Sequence, residues 1–343
     1  MSGRKTGRKE MVAHMKNNKV ILLFGAAVVL SSMALICQMS VASALKQGGG
    51  GIQFFSFGGR AELRNTIEIE GDKADRVNLI YGGKNIKIYP SKDDTVVVKE
   101  YLYSSRPEAK ASVTYEDGEV LIEGANTRTF VVFGFFWGGG ERIEVYVPEK
   151  RLEEFWVETG SGNITCQPGS LEVVKSIQAK AGSGNIKWGE STAEEISLQA
   201  GSGNISAEKL KGNISLQTRS GNINGNKLEG VLNVQSGSGN ILLKEVIGSG
   251  EMKSRSGNVK AEAPKVTGDI AICTNSGNSS LEIPADLSFH FRADTGSGNI
   301  YTDFENQLSF NKKGNHGEGD VGEGKGPTIT MEAGSGNVRI ERN

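Results

Sequence analysis

The tripeptide Ser-Gly-Asn occurs nine times between residues 161 and 337, and this repetition limits the chain to a small set of folds. The first seven intervals between its asparagines are 18 to 22 residues, and the last is 38, which we interpret as two periods containing one degenerate coil. A period this short leaves no room for a useful helix and is about half of a propeller blade. The repeated asparagines are Asn163, Asn185, Asn204, Asn222, Asn240, Asn258, Asn278, Asn299 and Asn337.

The residues around each asparagine follow the two-residue period of a β-strand. Positions eight, six and four before it are apolar or small, whereas positions seven and five before it are mostly polar, so one strand face is buried. The residue after it is Ile or Val in every repeat except the one with Ser279. Stacked coils would bury these residues as ladders, with neighbouring strands about 4.8 Å apart. We therefore predict an all-β fold, a parallel and right-handed β-helix with coils of about 18–20 residues.

The repeated asparagines admit a functional and a structural interpretation. A row of amides along one edge could bind sugars, ice or calcium. Alternatively, each asparagine occupies a turn, bonds the coils above and below it, and follows a glycine that relieves the turn. We favour the structural turn, because no aspartate repeats in register as it does in calcium-binding β-rolls. We expect no cofactor and no metal site.

The N-terminal segment predicts a membrane location. Residues 20–44 contain no charged residue and are long enough to cross a bilayer. Residues 1–19 carry six basic residues and one acidic residue, so this tail should remain cytoplasmic. We expect one transmembrane helix in the cytoplasmic membrane, with the C-terminal domain outside the cytoplasm. The alternative is a signal peptide cleaved after Ala44, which would release the protein.

Three further segments follow the membrane span. Residues 45–63 are a linker, and residues 64–148 form a β-rich N-terminal cap with the opening coils, including a degenerate repeat at Asn85. Residues 149–343 form the solenoid, from which a Gly-rich loop bulges at residues 311–326. An apolar stretch at residues 130–137 is either a cap hairpin or a contact with a partner or membrane. The contact residues would be Phe133, Phe135, Phe136 and Trp137.

Charge and side-chain chemistry narrow the function. The net charge is −1, and it becomes −6 when the first nineteen residues are set aside, so we expect no nucleic-acid partner. Cys166 and Cys273 fall in distant repeats and should be free thiols. We expect the protein to have no enzymatic activity, because no nucleophile–base pair can be assembled from its residues. A polysaccharide-cleaving β-helix is the alternative, and its best candidate acids are Asp294, Asp303 and Glu305.

Several motifs resemble the bacterial putative-adhesin family, a domain of unknown function built from β-strand repeats. They are the repeated Ser-Gly-Asn-Ile, the strand Arg142-Ile-Glu-Val-Tyr-Val-Pro148, the Gly-rich loop and the closing repeat at residues 329–338. The resemblance covers about residues 64–343, and it brings no catalytic residues. Some members are membrane-anchored and associated with envelope-stress response systems.

These observations lead to one expected function and one alternative of a related kind. We expect a non-catalytic, extracytoplasmic, adhesin-like module of the cell surface, whose partner is a cell-envelope polymer or a membrane protein. The alternative is an accessory component of a membrane system that senses envelope stress.

Overall fold

The computed structural model describes residues 60–71, 73–125, 140–150, 152–323 and 326–343. Within these ranges, no helix has the length and apolar character needed to cross a membrane. The expected basic tail and the membrane or signal segment at residues 20–44 lie outside the described residues. The same holds for the aromatic contact expected at Phe133, Phe135, Phe136 and Trp137.

The described part of the chain consists of strands and two single-turn 3-10 helices. The strands ahead of the clear repeats are β1 (Glu62–Ile69), β2 (Arg76–Tyr81), β3 (Asn85–Ser91), β4 (Val96–Leu102), β5 (Ser112–Glu116), β6 (Glu119–Glu123) and β7 (Arg142–Pro148). The first 3-10 helix, Pro107–Ala109, lies between β4 and β5.

The repeats form the remaining strands. The central ones are β8 (Glu154–Thr159), β9 (Ile164–Cys166), β10 (Leu171–Glu172), β11 (Ser176–Ala181), β12 (Ile186–Trp188), β13 (Ser191–Ala200), β14 (Ile205–Thr218), β15 (Ile223–Ser236), β16 (Ile241–Lys244), β17 (Ile247–Ser256), β18 (Val259–Glu262), β19 (Lys265–Ser276) and β20 (Ser279–Ile283). The last ones are β21 (Phe289–Thr295), β22 (Ile300–Thr302), β23 (Ser309–Phe310), β24 (His316–Val321), β25 (Thr328–Ser335) and β26 (Val338–Arg342), with the second 3-10 helix, Glu305–Gln307, after β22.

One central coil shows how the repeat folds. Strand β14 begins directly after a Ser-Gly-Asn turn and bends at Lys209 and Gly212, whose φ angles are 55° and 141°. It then runs straight to Thr218, where the next Ser-Gly-Asn turn begins. Equivalent residues of successive coils pair in parallel, as Ile205 does with Ile223. The all-β, solenoid-like architecture predicted from the repeat is thus confirmed.

The core is a set of side-chain ladders inside the coils. In one coil, Ile205, Leu210, Ile214 and Leu216 are each no more than 1% exposed. Complete burial of such a side chain contributes about 1.5–3 kcal/mol to the free energy of folding. Ser279 interrupts the Ile ladder, yet it is fully buried, and its hydroxyl donates to a backbone carbonyl of the neighbouring coil at 3.2 Å. The polar exception therefore keeps a hydrogen bond in an apolar column.

The spatial order of the coils departs from their sequence order at both ends. Strand β25 lies between β19 and β21, and β26 lies between β20 and β22. The last coil of the chain, which contains β25 and β26, therefore stacks between the coil of β19 and β20 and the coil of β21 and β22. At the other end, β2 lies between β6 and β8, so the opening coil is also internal. The degenerate coil expected between Asn299 and Asn337 was wrong, because that interval holds β23, β24 and the second 3-10 helix.

Antiparallel strands close both ends of the solenoid. At the N-terminal end, β4 pairs with β7 and β1 pairs with β4, while β5 pairs with β6. At the C-terminal end, β24 pairs with β21 and β23 pairs with β24. Such caps cover edges that would otherwise recruit further strands.

The Gly-rich loop predicted at residues 311–326 was wrong in its central part, which is strand β24. The glycines of β24 are explained by close packing against neighbouring residues and not by a loop conformation. A Cβ on Gly317 would lie 2.7 Å from the Phe310 ring, and one on Gly319 would lie 2.9 Å from the Gln307 carbonyl oxygen. Composition alone does not distinguish such a tightly packed strand from a loop.

Candidate functional site

The Ser-Gly-Asn asparagines form a continuous ladder that joins the coils. The backbone N–H of each asparagine donates a hydrogen bond to the Oδ1 of the asparagine in the adjacent coil, at 2.8–3.0 Å. The ladder begins at Asn85, and Asn337 stands between Asn278 and Asn299. The side-chain carbonyls therefore link neighbouring coils, as the structural interpretation of the repeat expects.

The glycine before each asparagine is needed because the turns stack closely. A Cβ on Gly203 would lie 1.9 Å from the carbonyl oxygen of Gly184 in the neighbouring turn. These glycines do not have positive φ angles, so close approach between coils explains them better than local relief of the turn. A buried hydroxyl completes the corner, since Ser236 Oγ donates to the Gly221 carbonyl at 2.9 Å.

A groove lined by polar side chains runs across the strands that lead into these turns, and we call it the amide groove. It is open to solvent, crosses six successive coils and has a volume of about 640 Å³. Its floor consists of backbone and small residues. The larger side chains that line it are Lys180, Gln199, Gln217, Arg219, Gln235, Lys253, Arg255, Cys273 and Asn275.

Three glutamines form the middle of the amide groove. Gln199 Nε2 donates to Ser197 Oγ at 3.3 Å, and in the next coil Gln217 Nε2 donates to Ser215 Oγ at 3.2 Å. Gln235 repeats the arrangement with Asn233 Oδ1 at 2.8 Å. These bonds hold the amides along their strands. The side-chain carbonyl oxygens of Gln199 and Gln217 make no hydrogen bond within the described chain. The groove thus presents a preorganised row of polar groups.

The charged side chains that line the amide groove are all basic. Four basic side chains line it, and no acidic side chain does. Lys180 is paired with Glu158 at 2.9 Å, and Lys253 with Glu251 at 2.5 Å.

The residues that line the amide groove include one cysteine and no histidine. Its only thiol is Cys273, and burial, followed by the charge of Glu332, raises the pKa of this thiol. Cys166 lies in the core, where burial raises its pKa to about 11. Both thiols are free, as predicted, and a raised pKa makes a poor nucleophile at neutral pH. In the described part of the chain, no group of three His, Cys, Asp or Glu residues is placed to hold a metal ion.

The three candidate acids for hydrolysis have separate surroundings. Asp294 accepts a hydrogen bond from His316 at 2.7 Å, on the face shared by β21 and β24. Asp303 accepts from the Arg342 backbone N–H at 2.9 Å, and Glu305 begins the second 3-10 helix. Asp294 and Asp303 are thus engaged in separate structural contacts, and none of the three lies in the amide groove.

The amide groove was missed in the sequence, although the signal was present. Gln199, Gln217 and Gln235 recur at 18 residues, five positions before the turn asparagine. Arg219 and Arg255 recur at 36 residues, three positions before it. The polar character of position five before the asparagine is visible in the sequence, but it indicates only an exposed strand face.

The fold and the groove define a capped β-solenoid with a polar long face. The chain belongs to the Toastrack DUF4097 family, whose model matches residues 75–341, and the resemblance to the bacterial putative-adhesin family is confirmed. No curated protein matches the chain.

Solved structures with low sequence identity also match. A putative adhesin from Bacteroides fragilis NCTC 9343 is 14% identical over 81% of this chain and 96% of its own, with a TM-score of 0.44. A putative adhesin from Parabacteroides distasonis ATCC 8503 is 13% identical over 83% of this chain and 98% of its own, with a TM-score of 0.36. A putative lipid binding protein from the same strain is 14% identical over 83% of this chain and 98% of its own, with a TM-score of 0.25.

Proposed function

We propose that this protein is a non-catalytic surface module that binds a linear polymer of the cell envelope through the amide groove. The observation that carries the proposal is the groove itself, which presents equivalent polar groups in successive coils. Coils repeat about every 4.8 Å, so the groove presents its contacts at regular intervals, as an extended polymer does. Repeated weak contacts of this kind add through effective concentration.

The proposed location is the outer side of the cytoplasmic membrane. The uncharged segment at residues 20–44 and the basic tail ahead of it support a single-pass anchor. A tethered solenoid would hold its groove close to polymers of the envelope. The same location suits an accessory role in envelope-stress sensing, where polymer binding would be the input.

A binding comparison between two triple variants tests the proposal. The full chain, purified in detergent, is incubated with a panel of immobilised envelope polymers and polysaccharides. The groove variant carries Gln199→Ala, Gln217→Ala and Gln235→Ala, and the control carries Lys187→Ala, Ser206→Ala and Asn224→Ala. The control residues are exposed, and they stack in successive coils outside the groove.

We expect saturable binding to at least one polymer, weakened about tenfold in the groove variant and unchanged in the control. Failure of the folded wild type to bind any polymer would refute the proposal. Equal weakening in both variants would move the binding surface away from the groove.

A further inference from the structure

The basic residues of the amide groove differ from those on another surface of the solenoid. Along the edge where the chain bends between strand segments, Lys209, Lys211 and Lys227 each pair with a glutamate of a neighbouring coil. Arg219 and Arg255 are exposed in the groove, and their guanidinium groups have no hydrogen-bond or ion-pair partner among the described residues. A domain that is otherwise acidic thus keeps two guanidinium groups available in one groove.

The register fixes the distance between these two arginines. Arg219 and Arg255 each lie three residues before a turn asparagine, and one coil lies between the two coils that carry them. Two coil steps place their Cα atoms about 10 Å apart. The intervening position is Gly237, which carries no side chain to fill the space between them. Two guanidinium groups therefore line the groove at a fixed interval, and the position between them carries no side chain.

The neighbouring groups indicate the rest of the ligand. Glutamine amides and serine hydroxyls run beside the arginines, and such groups exchange hydrogen bonds with hydroxyl-rich polymers. A planar guanidinium binds a carboxylate through two parallel hydrogen bonds. The side chains that line the groove include no aromatic ring, which is the platform that single-stranded nucleic acids require.

We infer that the ligand of the amide groove is an extended acidic polysaccharide, whose carboxylates pair with Arg219 and Arg255. This inference rests on the proposed function. The glutamines contact the sugar hydroxyls, and the two arginines contact uronate groups about two sugars apart.

The test compares one polymer in two charge states. Oligogalacturonate and its fully methyl-esterified form share a backbone and differ only in the charge of the carboxyl group. Binding of the full chain in detergent is measured for both, with polyglycerol phosphate as a second anionic probe. The arginine variant carries Arg219→Gln and Arg255→Gln, and the control carries Lys187→Gln and Lys244→Gln, which remove the same charge outside the groove.

We expect the wild type to bind oligogalacturonate at least tenfold more tightly than the ester. The arginine variant should lose most of that preference, the control should keep it, and added salt should weaken the wild-type binding. Equal binding of the acid and the ester would overturn the inference while leaving the proposed function in place. Tighter binding of polyglycerol phosphate would overturn the carboxylate assignment, and binding of no polymer would remove the proposed function as well. Unchanged circular dichroism of both variants shows that the fold is intact.

Discussion

Residues in this protein are constrained mainly by the coil above and the coil below. Gly203 is glycine because a neighbouring carbonyl occupies the place of a Cβ, and Asn222 is asparagine because its Oδ1 accepts from the Asn240 N–H at 2.9 Å. Neither requirement is visible within a single coil. The recurrence of Ser-Gly-Asn is therefore the sequence record of stacking, repeated at each interface between coils.

Gly203→Ala should be one of the most damaging small substitutions in the chain. The added methyl group would lie 1.9 Å from the Gly184 carbonyl oxygen, and the stacked backbone has little room to move away. We expect a loss of about 3 kcal/mol in the free energy of unfolding. The neighbouring exposed Ser202→Ala should stay within about 0.5 kcal/mol of wild type. Chemical denaturation measures both, and equal stability of the two variants would contradict the stacking explanation.

Asn222 allows the acceptor role to be separated from the amide as a whole. Asn222→Ala removes the acceptor for the Asn240 N–H and should cost about 1 kcal/mol. Asn222→Asp keeps an oxygen in that place, and the Asn222 Nδ2 makes no hydrogen bond within the described chain. We therefore expect the aspartate variant to be close to wild type at pH 7. A thermal midpoint as low as that of the alanine variant would show that the amide has another role.

The elements show which parts of the fold the sequence could reveal. The period-two columns predicted the coil strands, because burial on one face leaves a pattern in every repeat. The caps left no such pattern, since β1, β4 and β24 each occur once. Coil order was also hidden, because equivalent residues such as Asn299 and Asn337 carry the same pattern whatever their order. The groove was hidden for a different reason: polar residues on an exposed strand face are ordinarily only solvated.

Glu100 is the residue that fixes the N-terminal cap. Its carboxylate is fully buried and accepts hydrogen bonds from Asn65 Nδ2 at 2.7 Å, the Ala111 N–H at 3.0 Å and the Tyr81 hydroxyl at 3.2 Å. Burial and this carboxylate raise the pKa of Tyr81. Glu100→Leu leaves three donors without an acceptor and should cost about 3 kcal/mol or more, whereas Glu100→Gln keeps one acceptor and should cost less. Urea unfolding distinguishes them, and a leucine variant as stable as wild type would contradict this role.

The C-terminal cap should respond to acid through Asp294. The hydrogen bond from His316 lowers the pKa of this carboxyl group below its ordinary value, against the opposing effect of burial. The resulting stability is fully present above the unfolded pKa of about 3.9 and is lost as pH falls through the lower folded pKa. The titratable and charged groups around it are His290, Arg292, His316, Glu318, Asp320 and Glu332.

The difference in stability between wild type and Asp294→Asn should therefore shrink as the pH falls from 5 to below about 4. Denaturant midpoints at each pH measure it. Asp286→Asn, at an exposed carboxylate without an ion pair among the described residues, is the control and should show no such trend. A stability difference that grows as the pH falls below 5 would contradict the predicted direction of the effect.

At the scale of the whole molecule, an internal coil and the final coil have unequal roles. Residues 223–240 are one complete repeat, and their deletion joins Asn222 to Ile241 so that the 18-residue register continues. Residues 328–343 stand between two other coils, and their deletion separates β19 and β20 from β21 and β22. The first deletion should give a folded, shorter solenoid, as expected for nearest-neighbour stacking. The second should detach the C-terminal cap and make residues 289–323 sensitive to protease. Mass spectrometry after limited proteolysis compares the two, and equal resistance of that segment in both proteins would contradict the inserted-coil topology.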